Sequence, residues 1–194
     1  MTLGRPKKFN EAEVLGKAMN LFWLHGYQGI GLSGLCSGMG ISRQSLYDTF
    51  GDKRTLFIKA IHFYRENLLS QLLQILADPA NPLENVRKVM GYFECRVAAN
   101  DFRGCLVANT LVELGQHDKE IADLLGDTLG LLEQGLRTAL QNAQKAGELP
   151  PDRDTKLLAR TLTNAFLGMA VSSRLSTHRE SIKDVFQGVM ATLK

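Results

Sequence analysis

Cysteine is scarce in this 194-residue chain, and the three present, Cys36, Cys95 and Cys105, show no CxxC spacing. An odd, scattered set argues against a disulfide framework and fits a reducing compartment. Long apolar runs are also missing: a stretch such as Ala165 to Val171 falls far short of the roughly 20 residues a membrane span requires. The basic opening Met1-Thr2-Leu3-Gly4-Arg5-Pro6-Lys7-Lys8 has no apolar segment behind it, so no export signal is expected and the chain is placed in the cytoplasm. His25, His62, His117 and His178 form neither HExxH nor any regular metal spacing with the cysteines, and His117-Asp118 is a lone pair. GxGxxG after a strand and a GxSxG elbow are absent as well. These absences leave no catalytic constellation, no cofactor and no metal site to expect.

What is there is a chain with 44% hydrophobic residues, enough to bury a core, and a formal net charge of +3. The total hides an asymmetry. Residues 1–65 carry nine Lys and Arg against four Asp and Glu, whereas residues 66–194 carry fourteen against sixteen. The basic front suits a polyanionic partner, with ordinary solubility or an anionic membrane surface as the other readings of charge alone.

Apolar residues recur at helical spacing throughout. Asn10, with Glu13 three residues on, predicts a capped helix through Val14, Leu15, Ala18, Leu21, Phe22 and Leu24, ending at His25-Gly26. A short helix from about Gly31 to Met39 follows, then a turn Gly38-Met39-Gly40-Ile41, then a third helix capped by Ser42. Asp52 caps a long helix expected to run unbroken to about Leu76. Two short helices around a glycine-containing turn are what a helix-turn-helix requires, the second placing its first residues in the major groove. Arg43, Gln44 and Ser45 stand there: arginine can bridge guanine O6 and N7, glutamine can pair with adenine, and serine can serve either. The other reading of these three is a solvated helix start. Arg5, Lys7 and Lys8 form a basic arm suited to a minor groove, or else a solubilising tail.

The segments GRPKKF, LFWLHGY and GISRQSLYDTFGDKRTLF, in this order and spacing, resemble the DNA-binding domain of the TetR family of bacterial transcriptional regulators, over roughly residues 4–65. The resemblance implies an all-α fold: an N-terminal three-helix helix-turn-helix domain joined by a long fourth helix to an all-helical ligand-binding and dimerisation domain. On this sequence the expected divisions are residues 1–52, 53–76 and 77–194. It implies that Tyr47 and Lys53 touch phosphates, that Arg43, Gln44 and Ser45 face bases, and that Leu46 and Phe50 pack inward. Family members usually repress from a palindromic operator as homodimers and let go when a small molecule binds; corepression and activation are the alternatives. The sequence also departs from the pattern. Ile30 and Gly31 stand where the family commonly has a capping Thr or Ser that often contacts phosphate, so Ser33 is the expected substitute. Gly34 and Gly38 each give up roughly 1 kcal/mol of helix propensity relative to alanine, which predicts a loose second helix.

The break Asp78-Pro79-Ala80-Asn81-Pro82 is expected to mark the hinge between domains. Helices are then predicted over about 83–99, 105–114, 119–145, 153–175 and 179–193. The last two carry more apolar surface than one face needs. Leu158, Leu162, Ala165, Met169, Ile182, Val185, Phe186 and Val189 are the expected homodimer contacts in a four-helix bundle of the family kind. Candidate effector-pocket residues are Phe93, Val97, Phe102, Leu106, Asn109, Thr110, Glu113, Phe166 and Met169, which mix apolar surface with a few polar groups. Cys105 follows Gly104 at a helix start beside Arg103, an electropositive setting of the kind reactive cysteines occupy, with Cys95 nearby in sequence; a thiol-based redox or electrophile sensor is one alternative function. The main alternative is a helical ligand-binding or interaction module with weak or no specific DNA binding.

Overall fold

The structure, a computed structural model, describes residues 9–193. Among them α-helices follow one another and no strand occurs. The chain divides into two compact units, Met1–Tyr64 and Arg65–Lys194.

The first unit contains α1 (Glu11–His25), α2 (Leu32–Met39), α3 (Arg43–Phe50) and α4 (Lys53–Tyr64). The Asn10 side-chain oxygen accepts from the N–H groups of Ala12 at 2.9 Å and Glu13 at 3.3 Å, filling donor positions that a helix start leaves open. α1 packs on α4 and α2. Phe22 meets Phe57 edge-on at 4.8 Å and Trp23 meets Tyr64 edge-on at 5.0 Å. Such pairs add geometric preference to the area they bury.

Gly40 ends α2 in the left-handed conformation, φ 72°, and its N–H and that of Ile41 both reach the Cys36 carbonyl. Gly31 begins the helix with no side-chain cap, and Ser33, already inside the first turn, does not replace one. The glycine at 38 has a packing reason. A Cβ there would lie 2.7 Å from Leu21 Cδ1, so the missing side chain lets α1 and α2 close up. The expected loosening of α2 is thus set against tight contact.

The second unit opens with a π-helical turn at Arg65–Leu69 and continues through α5 (Ser70–Ala77), α6 (Pro82–Met90), α7 (Tyr92–Ala98), α8 (Leu106–Leu114), α9 (Lys119–Lys145), α10 (Thr155–Ser172) and α11 (Arg179–Ala191). α9 is the spine: α5, α6, α8 and α10 all pack against it. Asp118 caps α9 by accepting from the N–H of Ile121 at 3.2 Å, and Asp154 caps α10 by accepting from Lys156 and Leu157 at 2.9 and 3.1 Å. Among the described residues no helix is long and apolar enough to cross a membrane.

Three details differ from the sequence expectation. The run from Asp52 to Leu76 is interrupted by the π turn, where the Ser70 hydroxyl donates to the Glu66 carbonyl. The helix expected over 83–99 is two, because Gly91, a poor helix former, breaks it with ψ −2°. The Asp78–Pro82 break lies inside the second unit, where α5 packs on α6 and the Asn85 side chain donates to the Asp78 carbonyl at 2.9 Å.

Candidate nucleic-acid interface

α3 exists because its inner and outer sides are chemically distinct. Leu46 and Phe50 are buried at 0% and 3% exposure, one turn apart, and fasten the helix to the unit. Ser42 supplies the cap, its hydroxyl oxygen accepting from the Ser45 N–H at 3.1 Å. The outer side carries Arg43, Gln44, Tyr47 and Asp48, all exposed, with Ser45 half-buried. The Ser45 hydroxyl lies 2.9 Å from that of Ser42, so it is shared with the cap. Gln44 donates from Nε2 to Asp48 Oδ1 at 2.7 Å. Arg43 projects from the first turn of the helix. Ser33 is exposed on α2.

Lys53 begins α4 half-buried, its Nζ 4.6 Å from the centre of the Tyr27 ring. The ring's negative face holds the ammonium while leaving its hydrogens available. Asp52 caps the same helix, accepting from the Thr55 N–H at 2.7 Å, and these hydrogen bonds hold its carboxyl below the usual range. Tyr47 is 46% exposed. Arg5, Lys7 and Lys8 lie outside the described residues. Tyr27 and Asp48 escaped the sequence reading; the signals were the i, i+4 spacing of Gln44 and Asp48 and the aromatic just after the α1 stop.

The sequence pattern of the bacterial regulatory proteins of the tetR family fits residues 14–60, and that of the tetracyclin repressor-like C-terminal domain fits residues 82–189. The chain belongs to the TetR family. It is 33% identical over 186 residues to the uncharacterized HTH-type transcriptional regulator YezE of Bacillus subtilis (strain 168), covering 94% of this chain and 95% of the relative. It is 29% identical to the HTH-type transcriptional repressor ComR of Escherichia coli (strain K12), covering 94% and 88%. Among solved structures it resembles a cysteine-substituted form of the TetR family regulator CifR, complexed with 26-bp double-strand operator DNA. That match has a TM-score of 0.86 and 26% identity, covering 98% of this chain and all of the other. The all-helical expectation and the family resemblance both hold, and the chain is in general terms a DNA-binding, dimeric, ligand-regulated transcriptional regulator.

In the second unit of this TetR-family chain, Phe93, Val97, Leu106, Thr110, Phe166 and Met169 are buried, while Phe102, Asn109 and Glu113 are half-buried. Phe93 and Phe166 pack at 4.6 Å. Phe102 lies under the Arg179 guanidinium, 5.3 Å from ring centre to Cζ. Asn109 donates to the Arg103 carbonyl at 2.9 Å. The sequence reading overlooked the polar knot between α7 and α8. Asp101 accepts from Arg96 Nε at 3.0 Å and from Arg103 Nε and Nη2 at 3.0 and 2.9 Å. Arg96 Nη1 also donates to the Tyr92 hydroxyl at 3.2 Å and the Gly104 carbonyl at 3.1 Å. Hydrogen bonds from Arg103, then Arg96, hold the Asp101 carboxyl far below its ordinary range, while burial pushes the Tyr92 phenol up.

Of the residues expected at a dimer contact, Leu158, Leu162, Met169 and Ile182 are buried inside this chain's own second unit. Ala165, Phe186 and Val189 are half-buried and Val185 is exposed. The outward row of α10 is instead Leu157, Thr161, Asn164, Gly168, Val171 and Leu175, the last just past its end. Cys105 is buried, Cys36 half-buried and Cys95 exposed, and none is in a disulfide.

Proposed function

We propose that this protein is a repressor that binds a palindromic double-stranded operator as a homodimer and is released by a small molecule. The observation that carries the reading is the two-sided build of α3: Leu46 and Phe50 buried, Arg43, Gln44 and Tyr47 exposed at the capped start of a helix in the basic part of the chain. The CifR match, whose own structure contains operator DNA, and the description of ComR as a repressor support the same reading.

In this account residues 1–52 bind DNA, residues 53–76 connect, and residues 77–194 bind effector and dimerise. Arg43, Gln44 and Ser45 meet base edges. Tyr47, Lys53 and Ser33 meet phosphates and fix register without reading sequence, and Arg5, Lys7 and Lys8 follow the adjoining minor groove. Two copies of α3 then stand about 34 Å apart, one turn of DNA, or at a multiple of that spacing. The effector acts by binding one arrangement of the dimer better than the other. The region around Phe93, Val97, Leu106, Thr110, Phe166 and Met169 is the proposed effector site.

Selection of DNA from a random pool by the purified full-length protein, followed by titration of the selected site at several salt concentrations, tests the reading. The expected result is a two-fold symmetric site bound roughly 10³-fold or more tightly than random DNA at moderate salt. Binding without sequence preference would overturn it and favour the interaction-module alternative. Screening small molecules for loss of the selected complex then tests the sign of regulation.

A further inference from the structure

We propose that Asp48 is a specificity-determining positioning residue, which locks the Gln44 carboxamide in the orientation that accepts adenine and rejects guanine. The inference rests on the proposal that α3 reads the major groove.

Gln44 and Asp48 are exposed one turn apart on the outer side of α3, and the contact between them is short, 2.7 Å from Nε2 to Oδ1. An aspartate there needs a reason. This surface belongs to the part of the chain in which nine Lys and Arg face four Asp and Glu, and on the proposed reading it meets phosphates that repel a carboxylate. A Gln to Asp pair at this spacing gives a helix only slight support, and Ser42 already caps α3.

The chemistry of the amide supplies the reason. A free glutamine amide offers two N–H donors and one carbonyl oxygen and turns about its last torsion. It can therefore present one donor and one acceptor, matching adenine N7 and N6–H, or two donors, matching guanine N7 and O6. An ionised carboxylate only accepts, so the Gln44 group facing Asp48 must be the NH2, with the oxygen turned away. One N–H is then spent. The amide retains one donor and one acceptor, the adenine set, while guanine would confront the Gln44 oxygen with its own O6. Asp48 thus turns an ambivalent amide into a selective one.

The test compares base preferences of the full-length wild type, Gln44→Ala, Asp48→Ala and Asp48→Asn by random-pool selection and competition, with circular dichroism confirming the folded state. One position in each half-site should prefer adenine over guanine by about tenfold or more in the wild type. Gln44→Ala should abolish that preference. Asp48→Ala should bring adenine and guanine at the same position to within about threefold of each other and leave the other positions unchanged; Asp48→Asn, which can accept or donate toward Gln44, should fall between. A merely structural contact would change overall affinity and leave the preference intact.

Full retention of adenine preference in Asp48→Ala would overturn the inference. So would loss of preference at a different position from that of Gln44→Ala, which would mean that Asp48 reads a base directly. A wild type with no sequence preference would instead bring down the DNA-reading proposal itself.

Discussion

Replacing Asp101 should destabilise the second unit more than replacing Arg103, the more exposed of its two arginine partners. Its carboxylate is the shared acceptor for two guanidinium groups whose surroundings differ: the Arg96 side chain is 11% exposed and that of Arg103 is 36% exposed, with Asp101 itself at 25%. Removing one partner of a buried charge pair costs about 3–5 kcal/mol, because the other charge is left without compensation. An exposed pair is worth about 0–1 kcal/mol. Since Asp101 retains some water contact, Asp101→Ala should cost about 3 kcal/mol, Asp101→Asn about half of that, and Arg103→Ala no more than about 1 kcal/mol.

The damage should spread through named contacts. Arg96 would lose the anchor that directs it to Tyr92 and the Gly104 carbonyl. Gly104, at φ 69°, sits where a Cβ would fall 2.7 Å from the Ala170 carbonyl, so the α7 to α8 loop is pressed against the end of α10. On its other side Arg179 of α11 donates to the Asn100 side chain. Urea unfolding at one fixed protomer concentration checks this, with a midpoint drop of about 1–2 M for Asp101→Ala at unchanged slope.

The pH dependence supplies a second reading. A carboxyl held lower in the folded than in the unfolded state contributes fully above its unfolded pKa, near 4, and loses that contribution as pH falls. The stability gap between wild type and Asp101→Asn should therefore be constant at neutral pH and shrink below about pH 4 by at most about 1.4 kcal/mol per pH unit. A drop smaller than about 0.3 M for Asp101→Ala, or a gap that widens in acid, would refute the reasoning.

Three further outcomes are expected. Val171→Glu, on the exposed side of α10, should leave helix content unchanged and weaken the dimer at least about 30-fold by sedimentation, because a charge would be carried into an apolar contact. Lys53→Ala should lower operator affinity with little change in base preference and reduce the slope of log K against log salt by about 2 for a dimer, one phosphate per protomer. A soluble maleimide followed by mass spectrometry should label exposed Cys95 first, half-buried Cys36 next and buried Cys105 last; Cys105 reacting first would contradict its burial and favour the thiol-sensor alternative.

The sequence marked the first unit well because its signals are local. Asn10, Ser42 and Asp52 act as caps within three residues of themselves, Gly40 takes the left-handed turn that only local backbone geometry demands, and Leu46 and Phe50 face inward by simple helical spacing. Side-chain partnerships were harder to read. The cation–π hold of Tyr27 on Lys53 joins a turn to a later helix, and the Asp101 knot depends on a loop conformation that includes Asn100 at φ 60°. The π turn at Arg65–Leu69 was hidden because Leu68 and Leu69 are adjacent: a four-residue step from Tyr64 to Leu68 continues a regular helix, whereas the chain takes a five-residue step and buries Leu69.

The expected dimer contacts show the same limit. α10 is apolar on more than one side, so spacing alone could not tell which leucines serve the chain's own core; burial assigns Leu158 and Leu162 to it and leaves Leu157, Val171 and Leu175 outside. Gly168 lies in that outer row, and among the described residues nothing beyond its own helix turn comes within 4 Å of a Cβ built on it; the same is true of Gly188, three residues after exposed Val185 on α11. Mid-helix glycine costs about 1 kcal/mol relative to alanine, and among the described residues packing gives no reason for it at either place. Gly126 and Gly130 on α9 are equally open, but they flank Asp127, with Asp123 a turn before, on a polar side. The glycines of α10 and α11 combine open space with an exposed valine one turn away on the same row, Val171 beside Gly168 and Val185 beside Gly188. That combination suits helices from a second copy crossing closely at Gly168 and Gly188, with Leu157, Val171, Leu175 and Val185 packing around the crossing.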